Sequence, residues 1–361
     1  MLRETADHEP SYPTPQPAVV AAPVVVPGPQ VRTRSGGIDA VRVLAVVAVV
    51  LGHVWTNDVV YRLVFPWHVA IFFFLAGYLW SPGRTFRAEF VKRWRSLAIP
   101  YLVWLTVLLA GLLVTHAVRG TLRVHDLLGP LYGGALATRP FSAYWFLTVL
   151  FFVALLARVV ERLPVAVRAT VVVVGLTLGY VAGPQLAQTP LAVGSALPCL
   201  SLLVLGQLFA LVRPRISLDL TVGLAAAVLA VVLVWTGAAR PLTIKSGDYG
   251  TPVVSVLVAG LCCVALVLVA DRVFRALPPA WSAAVTLLAS AGLTVVLTHA
   301  AVLDVFDVGP GGSFPVFLAA LALPWAVGLV LNRTPLAPVV NGVPARRRRQ
   351  QIGARAAVER G

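Results

Sequence analysis

Three histidines and one arginine are the residues best placed to do chemistry inside the apolar stretches of this chain. Arg42 and His53 both lie in GIDAVRVLAVVAVVLGHVW, with ten residues between them. An ionisable side chain in a membrane helix is costly and by default marks a functional site. Eleven steps at about 100° per residue amount to about three full turns, so the two side chains share one helix face about 16 Å apart along the axis. One is a fixed charge near one surface; the other is a titratable base near the opposite surface. His68 opens the next apolar run, and His299 stands near the end of ASAGLTVVLTHAAVL, followed by Asp304 and Asp307. An imidazole so placed serves as a general base or as a nucleophile. A single interfacial histidine is also simply tolerated near headgroups, and it is the stacking over Arg42 that sets His53 apart.

The elements that must position these residues are membrane helices. Of 361 residues, 59% are hydrophobic and only 12% charged, against about 25% charged in a soluble domain. From residue 38 to 332 we count ten apolar runs: 38–57, 65–80, 96–116, 142–160, 165–183, 194–212, 218–238, 251–270, 281–303 and 314–332. Most are long enough to span a bilayer, and the second is short. The fold class is therefore all-α, a polytopic membrane protein of about ten transmembrane helices. With the amino terminus inside the cell, 22 of the 29 Lys and Arg fall on the cytoplasmic side, as the positive-inside rule requires. Both termini are then cytoplasmic and the protein is multi-pass in the cytoplasmic membrane, in contact with membrane lipid. On this topology His53, His68 and His299 reach the same, outer level of the membrane.

Three regions follow. Residues 1–37 are Pro-rich without amphipathic period and read as a disordered cytoplasmic tail; Pro23 and Pro27 break the apolar stretch that a signal peptide would need. Residues 38–332 form the membrane domain, and 333–361 a basic cytoplasmic tail. The net charge of +15 reflects Arg-rich inner loops, not a nucleic-acid partner. Cys199, Cys262 and Cys263 lie inside apolar runs and read as small core residues, with no disulfide framework and no metal site.

The loop SPGRTFRAEFVKRWRSLAIPYLVW supplies Arg84, Arg87, Lys92, Arg93 and Arg95 on the inner side. It serves as a topology anchor and as a site for an anionic cytoplasmic ligand, because Arg pairs with phosphates bidentately. Lys92, Arg93 and Arg95 are expected at a helix start, where cations oppose the helix dipole, a hint of a partner anion. The Arg346–Arg349 run lies in a polar tail suited to anionic lipid. The outer connection 117–141 is the longest on its side and reads as a solvated loop.

These residues together resemble the acyltransferase-3 family of integral-membrane O-acyltransferases, more closely its fucose-acetylase-like branch. The resemblance rests on Arg42-x10-His53, on WHVAIFFFLAGYLW, on FVKRWRSLAIPYLVW, on YWFLTVLFFVALL and on Thr298-His299, and it covers residues 37 to about 332. Ala76 stands where the family usually has Ser before Gly77. The resemblance implies acyl transfer from cytoplasmic acetyl-CoA, or another acyl-CoA, to a hydroxyl of an extracytoplasmic or lipid-linked glycan or glycoside. Lys92, Arg93 and Arg95 would hold the nucleotide end of the donor, its thin arm would pass Arg42, and the thioester would arrive at His53. There His53 acts as general base on the acceptor hydroxyl or takes the acyl group itself, and the sequence leaves the two open. Arg42 is counted with His53 as catalytic, through positioning of the donor. Asp39, three residues earlier, is its expected ion partner; with His68 and His299 it is assigned to substrate binding. A proton-coupled transporter or flippase is the alternative, since a buried Arg and His also suit a proton relay; no inverted repeat with matching broken helices supports it. Oligomeric state and acceptor identity are not encoded legibly.

Overall fold

In hydrocarbon every backbone N–H and C=O must find a partner within the chain, so apolar runs of this kind close into helices. In the computed structural model, which describes residues 36–343 apart from 307, 308 and 310, all regular elements are helical. In chain order they are α1 (Gly36–Val54), α2 (Asp58–Val64), α3 (Ala70–Tyr78), α4 (Phe86–Arg93), α5 (Ile99–Val118), α6 (Val124–Tyr132) and α7 (Tyr144–Val160). There follow α8 (Val165–Ala187), α9 (Ala196–Val212), α10 (Asp219–Trp235), α11 (Val254–Ala276), α12 (Pro279–Val305), α13 (Phe314–Leu331) and α14 (Ala337–Val340). The expected N-terminal tail and the Arg346–Arg349 run lie outside the described residues.

Among the described residues, seven helical segments are long and apolar enough to cross a membrane: α1, the run from α4 through α5, α8, the segment Pro190–Arg215 containing α9, α11, α12 and α13. The ten runs of the sequence are not ten equal helices. α7 and α10 have 17 residues each, the lower limit for a span. The run 65–80 is broken: α2 ends before Phe65 and Pro66, and α3 has only nine residues, about 14 Å. Asn57 caps α2 by accepting from the Val60 amide at 2.9 Å, and Pro66 cannot supply an amide to continue the ladder. His68 therefore sits in a tight turn rather than at a helix start.

The basic loop also differs from expectation. Its helix begins ten residues earlier, at Phe86, with the Thr85 hydroxyl accepting from the Ala88 amide. Lys92 and Arg93 then lie inside a continuous helical run, more than a turn from its start, so the inference of an anion from helix-start repulsion fails. From α4 the chain passes through one π-helical turn, Trp94–Ala98, into α5. Pro100 has no amide to give to Ser96, and the Ile99 amide reaches back to Trp94 O instead. π turns inside α-helices frequently mark functional sites.

Two helix contacts position the site. α1 and α12 run parallel in register: Asp39 meets Thr286, Val46 faces Gly292 and His53 meets His299. Steps of six or seven residues bring each helix round by about two turns, which keeps the same stripe facing its partner. α3 crosses α9 through two glycines. A Cβ on Gly77 would lie 1.8 Å from Leu203 O, and one on Gly206 1.9 Å from Phe74 O. Only backbone fits there.

Residues 333–343, assigned from the sequence to the polar tail, pack onto the bundle in part. Asn341 is buried; its Oδ1 accepts from the Thr294 hydroxyl at 2.6 Å, and its Nδ2 donates to Gly328 O and Asn332 Oδ1. Trp104 donates to Val340 O at 3.1 Å.

Candidate active site

α1 carries His53 in its last turn, α12 carries His299 at the same height with six helical residues beyond it, and their parallel register brings the two rings together. His53 Nδ1 and His299 Nε2 are 3.0 Å apart, with ring centroids at 4.9 Å. The partner of the remaining His299 nitrogen settles who donates. His299 Nδ1 is 2.9 Å from Val295 O. A carbonyl only accepts, so Nδ1 carries the proton, and in the neutral ring Nε2 is left as acceptor. His53 must therefore donate its Nδ1–H to His299, which leaves His53 Nε2 as an uncommitted lone pair. His68 is fixed by the same logic: its Nδ1 lies 3.0 Å from Val64 O, so its Nε2 is also free to accept.

His53 and His68 line one cavity of about 70 Å³, walled by Val49, Gly52, Phe65, Phe72, Trp145 and Val296 among others. An apolar cavity of about 150 Å³ accommodates benzene, so this one holds a group of a few heavy atoms. All three sequence-assigned histidines thus meet at one place. His299 is wholly buried behind His53, where it holds the ring of its neighbour and does not face the cavity.

The fold and this geometry agree with one comparison: the model of the acyltransferase domain known as acyltransferase-3 matches residues 35–333. The chain belongs to the acyltransferase-3 family. No curated protein and no solved structure matches it. Together with the long apolar helices, this makes it a multi-pass membrane acyltransferase.

At the other end of α1 the acyltransferase holds Arg42 by an ion pair, Nη1 to Asp39 Oδ1 at 2.9 Å. Asp39 is wholly buried, and its second oxygen accepts from the Thr286 hydroxyl at 2.8 Å. A carboxylate committed on both oxygens anchors Arg42 and has little left for a substrate.

The basic loop folds around a hub that the sequence reading missed. Glu89 is wholly buried and takes Arg84 and Arg93 at 2.7 Å each and Arg158 at 3.2 Å. Arg158 is itself wholly buried, stacks 4.0 Å from the centre of the Trp80 ring and pairs with Glu161. Arg93 is therefore committed to structure. Lys92 and Arg95 remain exposed, and no described carboxylate lies within ion-pair distance of either.

Two further cations stand near His53. Arg139 Nη2 donates to the His53 carbonyl at 3.1 Å, and Lys245 Nζ donates to Ala137 O at 3.0 Å. Both charges act on the His53 ring. They come from the loops before α7 and before α11, and no local spacing announces them. Among the described residues no three His, Cys, Asp or Glu side chains converge as metal ligands.

Proposed function

We propose that this protein is an O-acetyltransferase of the cytoplasmic membrane, moving an acetyl group from cytoplasmic acetyl-CoA to a hydroxyl of an extracytoplasmic or lipid-linked glycan or glycoside. The observation that carries this reading is the free Nε2 of His53, held by His299 at the wall of a cavity that fits a two-carbon acyl group. His53 Nε2 takes the proton of the acceptor hydroxyl. The oxygen attacks the thioester carbon, the C–S bond breaks, and the leaving sulfur takes the proton back from His53. When His53 is doubly protonated, its Nδ1–H still points at a neutral acceptor. His299 thus does the orienting work that a carboxylate does in a serine hydrolase.

Lys92 and Arg95 are the exposed cations suited to the donor's phosphates, with Arg42 further along the same path. The excess of Arg and Lys on one side supports a topology of ten spans with both termini cytoplasmic, the short α2–α3 pair filling the second. This places the basic loop inside and the histidines outside, the sidedness that transfer across a membrane needs. The same histidine pair would serve proton-coupled transport less well, since it closes on a buried carbonyl rather than continuing as a relay.

The test is transfer, or hydrolysis in the absence of acceptor, of radiolabelled acetyl from acetyl-CoA by the purified protein. His53→Ala should abolish it with the protein still folded. Normal turnover by that variant would sink the mechanism.

A further inference from the structure

The His53 site has a charge balance unlike that of an ordinary histidine base. The groups that face it are His68 from the α2–α3 turn, His299 from α12, Arg139 from the loop before α7 and Lys245 from the loop before α11. Each is neutral or positive. The described carboxylates at this end are placed elsewhere, Asp126 among them, which accepts from the Arg123 amide and lies beside His116 and His125. Asp58 pairs with Arg62 at 2.7 Å, Asp248 accepts from the Gly250 amide at 2.8 Å and neighbours Arg240, and Asp304 is exposed beyond His299.

Lys245 is the telling member. It is half-buried, its Nζ reaches one neutral carbonyl, and no described carboxylate lies within ion-pair distance. Burial lowers its pKa below the ordinary lysine range, with no anion to offset the desolvation. An ammonium held this way has donors to spare. Arg139 stands two residues beyond the carbonyl that Lys245 holds, and it is itself tied to the His53 backbone. Lys245 is thus fixed to the same short segment that reaches the His53 backbone.

We infer that Lys245 forms an anion subsite at the acceptor side of His53, and that the acceptor carries a phosphate or a carboxylate close to the hydroxyl that is acylated. The inference rests on the acyltransferase reading for its purpose but not for its measurement. A cation near a bound anion contributes where the surroundings are partly desolvated. It also discriminates, because a neutral sugar would leave half-buried Lys245 with a carbonyl but no anion.

The experiment measures occupancy beside His53 without turnover. The full-length protein in lipid nanodiscs is treated with diethyl pyrocarbonate, and carbethoxylation of His53 is followed by mass spectrometry. The probes are glucose 1-phosphate, glucuronate, methyl glucoside and a polyprenyl phosphate placed in the nanodisc. The anionic probes should slow modification of His53 and methyl glucoside should not. Protection by polyprenyl phosphate alone would make a lipid-borne phosphate the source of the anion; protection by the soluble probes would make it the sugar's own. In Lys245→Met the protecting concentration should rise about tenfold or more, and Lys245→Arg should recover most of it. Lys245→Gln serves as the second variant should Lys245→Met fail to fold. Equal protection by methyl glucoside, or no change on neutralising Lys245, overturns the subsite. Anion protection that persists in a protein shown to transfer no acyl group would retain the subsite and overturn the acetyltransferase reading.

Discussion

His53 donates Nδ1–H to His299 Nε2 at 3.0 Å, although 246 residues separate them in the chain. His299 is fixed in turn by Val295 O, so the orientation of the base depends on one residue of α12. His299→Ala should leave His53 free to rotate and to exchange tautomers. We expect a fall in kcat of about a hundredfold, at the low end of what a positioned base contributes, with little change in donor KM. His299→Gln, whose amide oxygen can still accept, should keep more activity than His299→Ala. Equal rates for the two variants would show that His299 is only a packing residue.

On the proposed reading, the cavity beside His53 limits the length of the acyl group. A site that fits two carbons should discriminate against each added methylene by about tenfold or more, so acetyl-CoA should be preferred over butyryl-CoA by at least that margin. Trp145→Ala removes one wall and should narrow the preference, raising kcat/KM for butyryl-CoA relative to acetyl-CoA. Competition assays with the two donors measure this directly. An unchanged ratio would place the acyl group elsewhere.

Lys92, Arg93 and Arg95 should separate on mutation. Lys92→Gln and Arg95→Gln should raise KM for acetyl-CoA several-fold each and leave the melting temperature alone, because both side chains are exposed. Arg93→Gln should instead lower the melting temperature, since it strips one of three arginines from buried Glu89. If Arg93→Gln changes only KM, the Glu89 hub is not what holds the loop.

Arg42 and Asp39 form the matching pair at the far end of α1. Arg42→Lys keeps the charge but loses the planar fork, and activity should fall mainly through a raised donor requirement. Arg42→Ala should also cost stability, because buried Asp39 then loses the cation on one of its oxygens. Changing Asp39→Asn together with Arg42→Gln should restore expression without activity. Recovery of activity in that double variant would make the pair purely structural.

The α3–α9 crossing should tolerate no side chain. Gly77→Ala and Gly206→Ala each force a methyl into a carbonyl oxygen, and overpacking of this kind costs about 1–3 kcal/mol or more. Thermal melting in detergent should show a clear drop for each. Gly111→Ala, which meets nothing within 4 Å, should not show it.

Helicity and the placing of most spans follow from the sequence by itself, because apolar runs in a membrane leave the backbone no other partner. So does the shared face of Arg42 and His53, which helix geometry fixes once α1 is continuous. The Arg42–Asp39 pair was legible for the same local reason. Tertiary structure alone decided the rest. The sequence places His299 at the level of His53 and assigns it to substrate binding; the parallel register of α1 and α12 makes it the partner of the base. Lys92, Arg93 and Arg95 look alike in the chain, and Glu89, buried by the fold, sorts one from the others. Arg139 and Lys245 carry no motif. Their approach to His53 is set by how two distant loops close over one end of the bundle, and long-range charge placement leaves no periodic trace in a sequence.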